Sequence, residues 1–303
     1  MKPFEYVAAR TIDEAVEALA SSKGPAKPLA GGTDLIVQLN EGRITLDRVV
    51  DIGRIPELKR IDLDAQGQLR LGAVAPCVDV YSHVNVQRLF PMLVDSASII
   101  GSVQIQSRAS IGGNLCNASP SGDSIPTLIC LGAQAVVQGP SGQRVVPVEE
   151  FCTGPGQTVL QPAELVVEIV VPAPGPHEGG KYLRFIPRNE MDIAVVGVGS
   201  WIRWDPQSGR ITDARIALGA VAPTPVRAPE AEAALIGKEV SWDVIDEASR
   251  LAVNAARPIS DVRGSAEYRR HLVSVLVRRT LLAALERAGA DVEDLGRGEA
   301  YAG

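Results

Sequence analysis

Apolar and polar positions alternate with a helical period from the start of the chain. Thr11-Ile-Asp-Glu14 reads as a capping box. Ile12, Ala15, Val16 and Leu19 share one face of the helix it opens. "KPLAGGTDL", from Lys27 to Leu35, reads as a short strand, a glycine turn and a second helix through "LIVQLNEG" that Gly42 closes. "RVVDIG" and "LRLGAVAP" read as strands. "VDVYSHVNVQRLFPMLVDSASII" is helical in tendency, with a break at Pro91. "SIPTLICLGA" predicts a short helix with Pro126 near its first turn. "AQAVVQG", "RVVPVEEF" and "ELVVEIVVP" are strands set off by turn residues. Helix and strand alternate up to about Pro172, which predicts an α/β arrangement there.

The pattern changes after "APGPHEGG" (173–180), dense in Pro and Gly and read as a linker. "KYLRFIPR", "IAVVGVGSWIRWD" and "ITDARIALGAVAP" predict an antiparallel meander, the last two strands joined by "PQSGR". Two helices follow, "SWDVIDEASRLAVNAA", capped by Ser241, and "AEYRRHLVSVLVRRTLLAALERAG". The charges of "YRRH" and "VRR" are expected on the solvent face of the last helix, with a partner-docking surface as the sharper alternative. The expected class is α+β. Residues 1–176 form a first domain with lobes at about 1–55 and 56–176, residues 177–290 a second, and 291–303 a flexible tail.

Composition narrows the classes of function. Of 303 residues, 46% are hydrophobic and 22% charged, within the ordinary globular range. A formal net charge of -6 without a long basic run argues against nucleic acid as a partner. The opening "MKPFEYVAARTIDEA" lacks an apolar signal core, and no apolar run is long enough for a membrane helix. Cys77, Cys116, Cys130 and Cys152 are scattered singly, which argues against a metal or iron–sulfur site and fits a reducing, cytoplasmic compartment. His83, His177 and His271 show no ligand spacing.

Two glycine-rich segments remain. In "LAGGTDL", Gly31 and Gly32 permit positive φ and close approach of a ligand to the backbone, and Thr33 and Asp34 stand at a helix start. The segment reads either as an anion site or as a plain strand-to-helix turn. It is neither the three-glycine dinucleotide fingerprint nor a Walker loop. "IGGNLCNASPSGD", from Ile111 to Asp123, is poor material for a helix and is expected as a long polar loop. Its backbone amides can form a nest, Ser110, Asn114 and Ser119 add neutral donors, and Asp123 adds an acceptor. Two such segments facing one another would hold a diphosphate without Arg or Lys.

"AGGTDL", "ASIGGNLCNASPSGD" and "KYLRFIPRNEMDIAVV", in this order, resemble the FAD-binding medium subunit of the molybdenum hydroxylases, the family of xanthine dehydrogenase and carbon monoxide dehydrogenase. The likeness covers about residues 3–287. It implies a two-lobed FAD-binding domain of the vanillyl-alcohol-oxidase (PCMH) type, and a C-terminal domain of three-stranded antiparallel sheet with helices. Leu29, Ala30, Gly31, Gly32, Thr33, Asp34 and Leu35 would wrap the FAD diphosphate. Ser110, Ile111, Gly112, Gly113 and Asn114 would complete the cradle. Asp123 would bind the ribityl or diphosphate region. Ile100 would pack near the flavin, Val166 would line its ring pocket and Ile193 would lie over the ring. Arg184 would face negative charge on the reduced flavin. No catalytic or metal-ligating residue is implied.

The resemblance also implies an oxidoreductase subunit that takes electrons from a [2Fe-2S] subunit to an external acceptor. Substrate would be handled by a large molybdopterin-binding subunit, in a dimer of heterotrimers. The inserted cysteine-rich segment of some relatives is missing here, so the clusters would lie on a partner chain. Competing readings are a stand-alone FAD-dependent dehydrogenase or reductase of the same fold, and a flavin-free assembly subunit.

Overall fold

The computed structural model describes residues 1–188, 191–292 and 295. The expected tail, 291–303, falls largely outside them. In chain order the elements begin β1 (Glu5–Ala8), α1 (Ile12–Ala20), β2 (Ala26–Leu29), α2 (Leu35–Asn40) and β3 (Arg48–Asp51). Then come β4 (Ile61–Leu63), β5 (Leu69–Gly72), α3 (Cys77–Ser82), α4 (Val84–Leu89), α5 (Pro91–Ala97), α6 (Val103–Gln106), α7 (Ile111–Asn117) and α8 (Ser124–Cys130). Five strands follow: β6 (Gln134–Gly139), β7 (Gly142–Pro147), β8 (Cys152–Gly154), β9 (Gln157–Thr158) and β10 (Leu165–Val171). The remainder is β11 (Glu178–Phe185), β12 (Val196–Asp205), β13 (Arg210–Gly219), β14 (Val226–Arg227), α9 (Pro229–Leu235), α10 (Trp242–Leu251) and α11 (Ala266–Arg287).

These elements form two compact units, one of residues 1–89, 97–119 and 132–173, the other of residues 90–96, 120–131 and 174–303. Two early segments, carrying the start of α5 and all of α8, thus belong to the same unit as the C-terminal sheet.

The first unit holds two sheets. β1, β3 and β2 form a three-stranded parallel sheet in the order β1-β3-β2, with Glu5 opposite Arg48 and Ala26 opposite the same residue on the other side. α1 crosses over from β1, and its Ala15, Val16 and Leu19 join Val50, Ile52 and Ile55 in one apolar cluster. Its start follows the capping box: the Thr11 hydroxyl accepts the Glu14 amide at 3.1 Å, and the Glu14 carboxylate accepts the Arg10 amide at 2.8 Å. The second sheet, β4-β5-β10-β6-β7, is antiparallel throughout. The expected α/β pattern is therefore confined to the first lobe. Beyond it, helices and strands alternate along the chain without building parallel crossovers.

The second unit is built on the predicted meander. β11, β12 and β13 pair in sequence, and two-residue β14 adds a fourth strand at the edge. Adjacent residues of β11 point to opposite faces. A side chain at Gly179 would collide with the backbone of α11, and one at Gly180 would press on Met92. α11 therefore covers one face, while the 90–96 segment lies on the other. α8 joins that second face, where a side chain at Gly199 would meet Met92, Pro126 and Cys130. Every residue of α8 is buried.

Two departures from the sequence reading concern helices. α9, with Pro229 in its first turn, was not among the expected helices. In α11, Arg269 lies inside the unit rather than on the solvent face. It is 3% exposed and donates to the carbonyls of Val195 (2.6 Å) and Ala220 (3.2 Å) and to Asp261 (2.8 Å). These acceptors satisfy a charge that would otherwise not be buried.

Candidate functional site

In the first unit, each glycine segment holds a glycine with no room for a side chain, Gly31 in the first and Gly112 in the second. β2 ends at Leu29, and the chain turns through Ala30–Asp34 into α2. Gly32 has φ +78°. Gly31 lies against the backbone of Arg108 and Ala109, where a Cβ would collide with the Arg108 carbonyl. The two segments, almost eighty residues apart in sequence, therefore meet main chain to main chain. Gln38 Nε2 donates to Asn117 Oδ1 at 3.3 Å and ties α2 to α7.

The second segment corrects the sequence reading. Ile111–Asn117 is a helix, α7, and only the following residues run as a loop to Asp123. Two glycines and two asparagines disfavour a helix, each glycine by about 1 kcal/mol relative to Ala. Tertiary contacts offset this. Ser110 caps the helix, its hydroxyl accepting the Gly113 amide at 3.0 Å. Gly112 packs against the backbone of Ala73, where any larger side chain would collide. Ala118 ends the helix in the left-handed conformation, φ 46°.

The candidates of this unit differ in exposure. Ser110, Ile111 and Gly112 are buried, Gly113 and Asn114 half-buried. Leu29, Ala30, Gly31, Gly32, Thr33 and Leu35 are half-buried, and Asp34 is exposed. Ile100 is buried. Val166 is buried on β10, at the irregularity where the β10–β6 register shifts between Val166 and Glu168. Cys116 sits on α7, and burial pushes its thiol up to about 12.

In the second unit, Asp123 and Arg184 are brought together. Asp123 precedes α8. Its Oδ2 accepts from Arg184 Nη1 at 2.6 Å, and its Oδ1 accepts from the Tyr182 hydroxyl at 2.9 Å. Burial pushes the Asp123 carboxyl up to about 6, opposed by the Arg184 charge and by the hydrogen bonds from Tyr182 and Arg184. Burial and the Asp123 charge hold the Tyr182 phenol well above its ordinary range. Tyr182 is the member that the sequence reading left out. Its place two residues before Arg184 on a strand was the available signal, since such residues share a face. Ile193 is 49% exposed, and its amide donates to Asp192. Arg188 pairs with Asp192 at 3.1 Å.

Glycines fixed by close approach, a turn with positive φ and a capped, buried helix start together suit a ligand that needs backbone donors rather than cations. Sequence comparison decides which. A family model described as "FAD binding domain in molybdopterin dehydrogenase" matches residues 2–174. The chain belongs to this family of FAD-binding molybdopterin dehydrogenase flavoproteins. A second model, "CO dehydrogenase flavoprotein C-terminal domain", matches residues 181–284.

The chain is 32% identical over 289 residues to the xanthine dehydrogenase FAD-binding subunit of Escherichia coli O157:H7, covering 95% of this chain and 98% of that protein. It is 33% identical to the carbon monoxide dehydrogenase medium chain of Hydrogenophaga pseudoflava, over 94% of this chain and 98% of that one. Among solved structures, carbon monoxide dehydrogenase from Hydrogenophaga pseudoflava superimposes with a TM-score of 0.90 at 35% identity, covering 95% of this chain and 99% of that chain. Quinoline 2-oxidoreductase from Pseudomonas putida 86 gives 0.88 at 27% identity, with 95% and 99% covered. This FAD-binding flavoprotein is thus an oxidoreductase subunit, with an FAD-binding domain followed by the C-terminal domain of its family. Among the described residues, no helix is long and apolar enough to cross a membrane. Nor do His, Cys, Asp and Glu gather there into a set of three or more that would hold a metal ion.

Proposed function

We propose that this chain is the FAD-carrying electron-transfer subunit of a multi-subunit molybdenum hydroxylase. It serves between a small [2Fe-2S] subunit and an external electron acceptor, while a large molybdopterin-binding subunit handles the substrate. The assembly is a dimer of heterotrimers in the cytoplasm.

The observation that carries this reading is the main-chain junction of Gly31 with Arg108 and Ala109. It supports reading as one cradle the two segments that the resemblance assigns to one diphosphate. When bound, FAD supplies the redox chemistry, and the protein supplies orientation, electrostatics and shielding. Within Leu29–Leu35 and Ser110–Asn114, backbone amides not already spent, as those of Gly113 and Asn114 are on Ser110, hold the diphosphate without a paired cation. Ile100 and Val166 offer apolar surface that excludes water. Asp123 and Arg184 offer polar contacts, and Ile193 an exposed aliphatic surface over the ring. The names of the relatives, "medium chain" and "FAD-binding subunit", agree with this division of labour.

The test is Gly112→Val in the native complex, purified through a tag on this chain. FAD is lost while the partner chains still co-purify, because the substitution strikes the cradle. A complex that keeps stoichiometric FAD would refute the role of the cradle. A wild-type chain that purifies alone and without flavin would refute the proposal as a whole.

A further inference from the structure

Tyr182 and Arg184 rise from one face of β11. The paired strand offers glycine at both positions, Gly199 opposite Tyr182 and Gly197 opposite Arg184. A Cβ on Gly197 would stand 2.5 Å from the Tyr182 hydroxyl, so the bare strand is the seat of the phenol. Asp123 meets this seat from the start of α8, and its two oxygens take one donor each, the Tyr182 hydroxyl and the Arg184 guanidinium. Tyr182 is 2% and Asp123 7% exposed, and only 8% of the Arg184 side chain reaches solvent.

We infer that Asp123 acts on bound FAD through Arg184, as a clamp that aims the guanidinium and neutralises its charge, and that Tyr182 is the positioning residue that aims the clamp. This rests on the reading of the chain as an FAD carrier. Both Asp123 oxygens accept donors of this chain, which holds the carboxylate on Tyr182 and Arg184. A guanidinium has five N–H donors. Only Nη1 is spent on Asp123, so Arg184 has donors to offer a ligand. Its contribution is directional more than coulombic, because the carboxylate cancels most of its charge. Removing the negative charge while keeping the side-chain shape unmasks the cation, which favours a reduced, more negative flavin. Burial acts in the same direction, since in a medium of low dielectric constant the two charges remain coupled rather than screened.

The test uses the full chain loaded with FAD and compares wild type, Asp123→Asn and Tyr182→Phe. FAD affinity and the flavin midpoint potential are both read, with the visible flavin spectrum as a check on the binding environment. Asp123→Asn is read first by its midpoint potential. It should favour the reduced flavin about ten-fold, an upward shift of about 30 mV for a two-electron couple. Tyr182→Phe is expected to keep affinity and shift the potential the same way by less, because the clamp is loosened but not discharged. A more than ten-fold loss of affinity in Asp123→Asn with unchanged potential would overturn the inference and make Asp123 a direct acceptor. An unchanged potential in Tyr182→Phe would remove Tyr182 from the device. Should Asp123→Asn fail to fold, Tyr182→Phe decides alone. Failure of the FAD-carrier reading looks different, since the wild-type chain itself would then bind no FAD.

Discussion

Gly31 and Arg108 touch through their main chains: the hydrogen that stands in place of a side chain at Gly31 faces the Arg108 carbonyl, with no room for a methyl group. That contact joins a strand-to-helix turn of the first sheet to the approach of α7. On the proposed reading, the two segments hold the diphosphate together. Several measurable consequences follow from this cradle and from the buried charges of the second unit.

Ser110 caps α7, and the helix has little intrinsic propensity to replace that bond. Ser110→Ala should cost about 1 kcal/mol, which for a unit of this size is a fall of about 2–4 °C in Tm. Thermal melting followed by circular dichroism reads it. An unchanged Tm would mean that the Gly112–Ala73 packing alone holds the helix.

Asp123 titrates above its ordinary value, so the sign of its pH effect is the reverse of the usual carboxylate. The unfolded chain has an Asp pKa of about 3.9, and the folded carboxyl stands at about 6. The folded state therefore binds this proton more tightly. Its contribution to stability is fully present below about pH 4 and is lost as pH rises through about 6. Asp123→Asn lacks this dependence. The stability difference, wild type minus variant, should shrink between about pH 4.5 and pH 7 in urea unfolding. A difference that grows over that range would show that the Arg184 charge outweighs desolvation.

α11, α8 and β13 were legible to different degrees, for physical reasons. The meander shows in the sequence because period-two apolar runs flank "PQSGR", and Ser241 announces α10 by its side chain. α7 does not show, because its stability comes from Ala73 and Ser110 rather than from its own residues. Arg269 reads as a surface charge, because its acceptors, Val195, Ala220 and Asp261, come from distant segments. Of the site, the glycine segments and Asp123 were legible in the residues themselves, and Arg184 was named from the resemblance. That Asp123 and Arg184 pair, and that Tyr182 completes the group, depends on α8 lying over bare glycine positions of the sheet.

Arg269 makes a prediction of its own. Arg269→Met removes a buried cation with donors on three segments, and leaves two carbonyls and a carboxylate without it. Hydrogen bonds from a charged group are worth about 1.5–3 kcal/mol, so a loss of about 3 kcal/mol is expected. Urea unfolding measures it, and a loss below about 1 kcal/mol would return Arg269 to a peripheral role.

The cysteines should be chemically quiet. Burial pushes Cys77 and Cys116 up to about 12 and Cys152 up to about 11, and holds Cys130 far above its ordinary range. Thiolate is the reactive form. At about pH 8 in the absence of denaturant, iodoacetamide should label all four far more slowly than a free thiol. Fast labelling of Cys116 would show that α7 opens.

The central claim is that the two glycine segments form one FAD cradle, and Gly31→Val tests it most directly. The variant must push Arg108 away and part the segments, while the second unit is untouched. FAD content, read from flavin absorbance after denaturation of the purified chain, should fall to near zero with circular dichroism close to wild type. A folded Gly31→Val chain that retains one FAD with wild-type affinity would contradict the account.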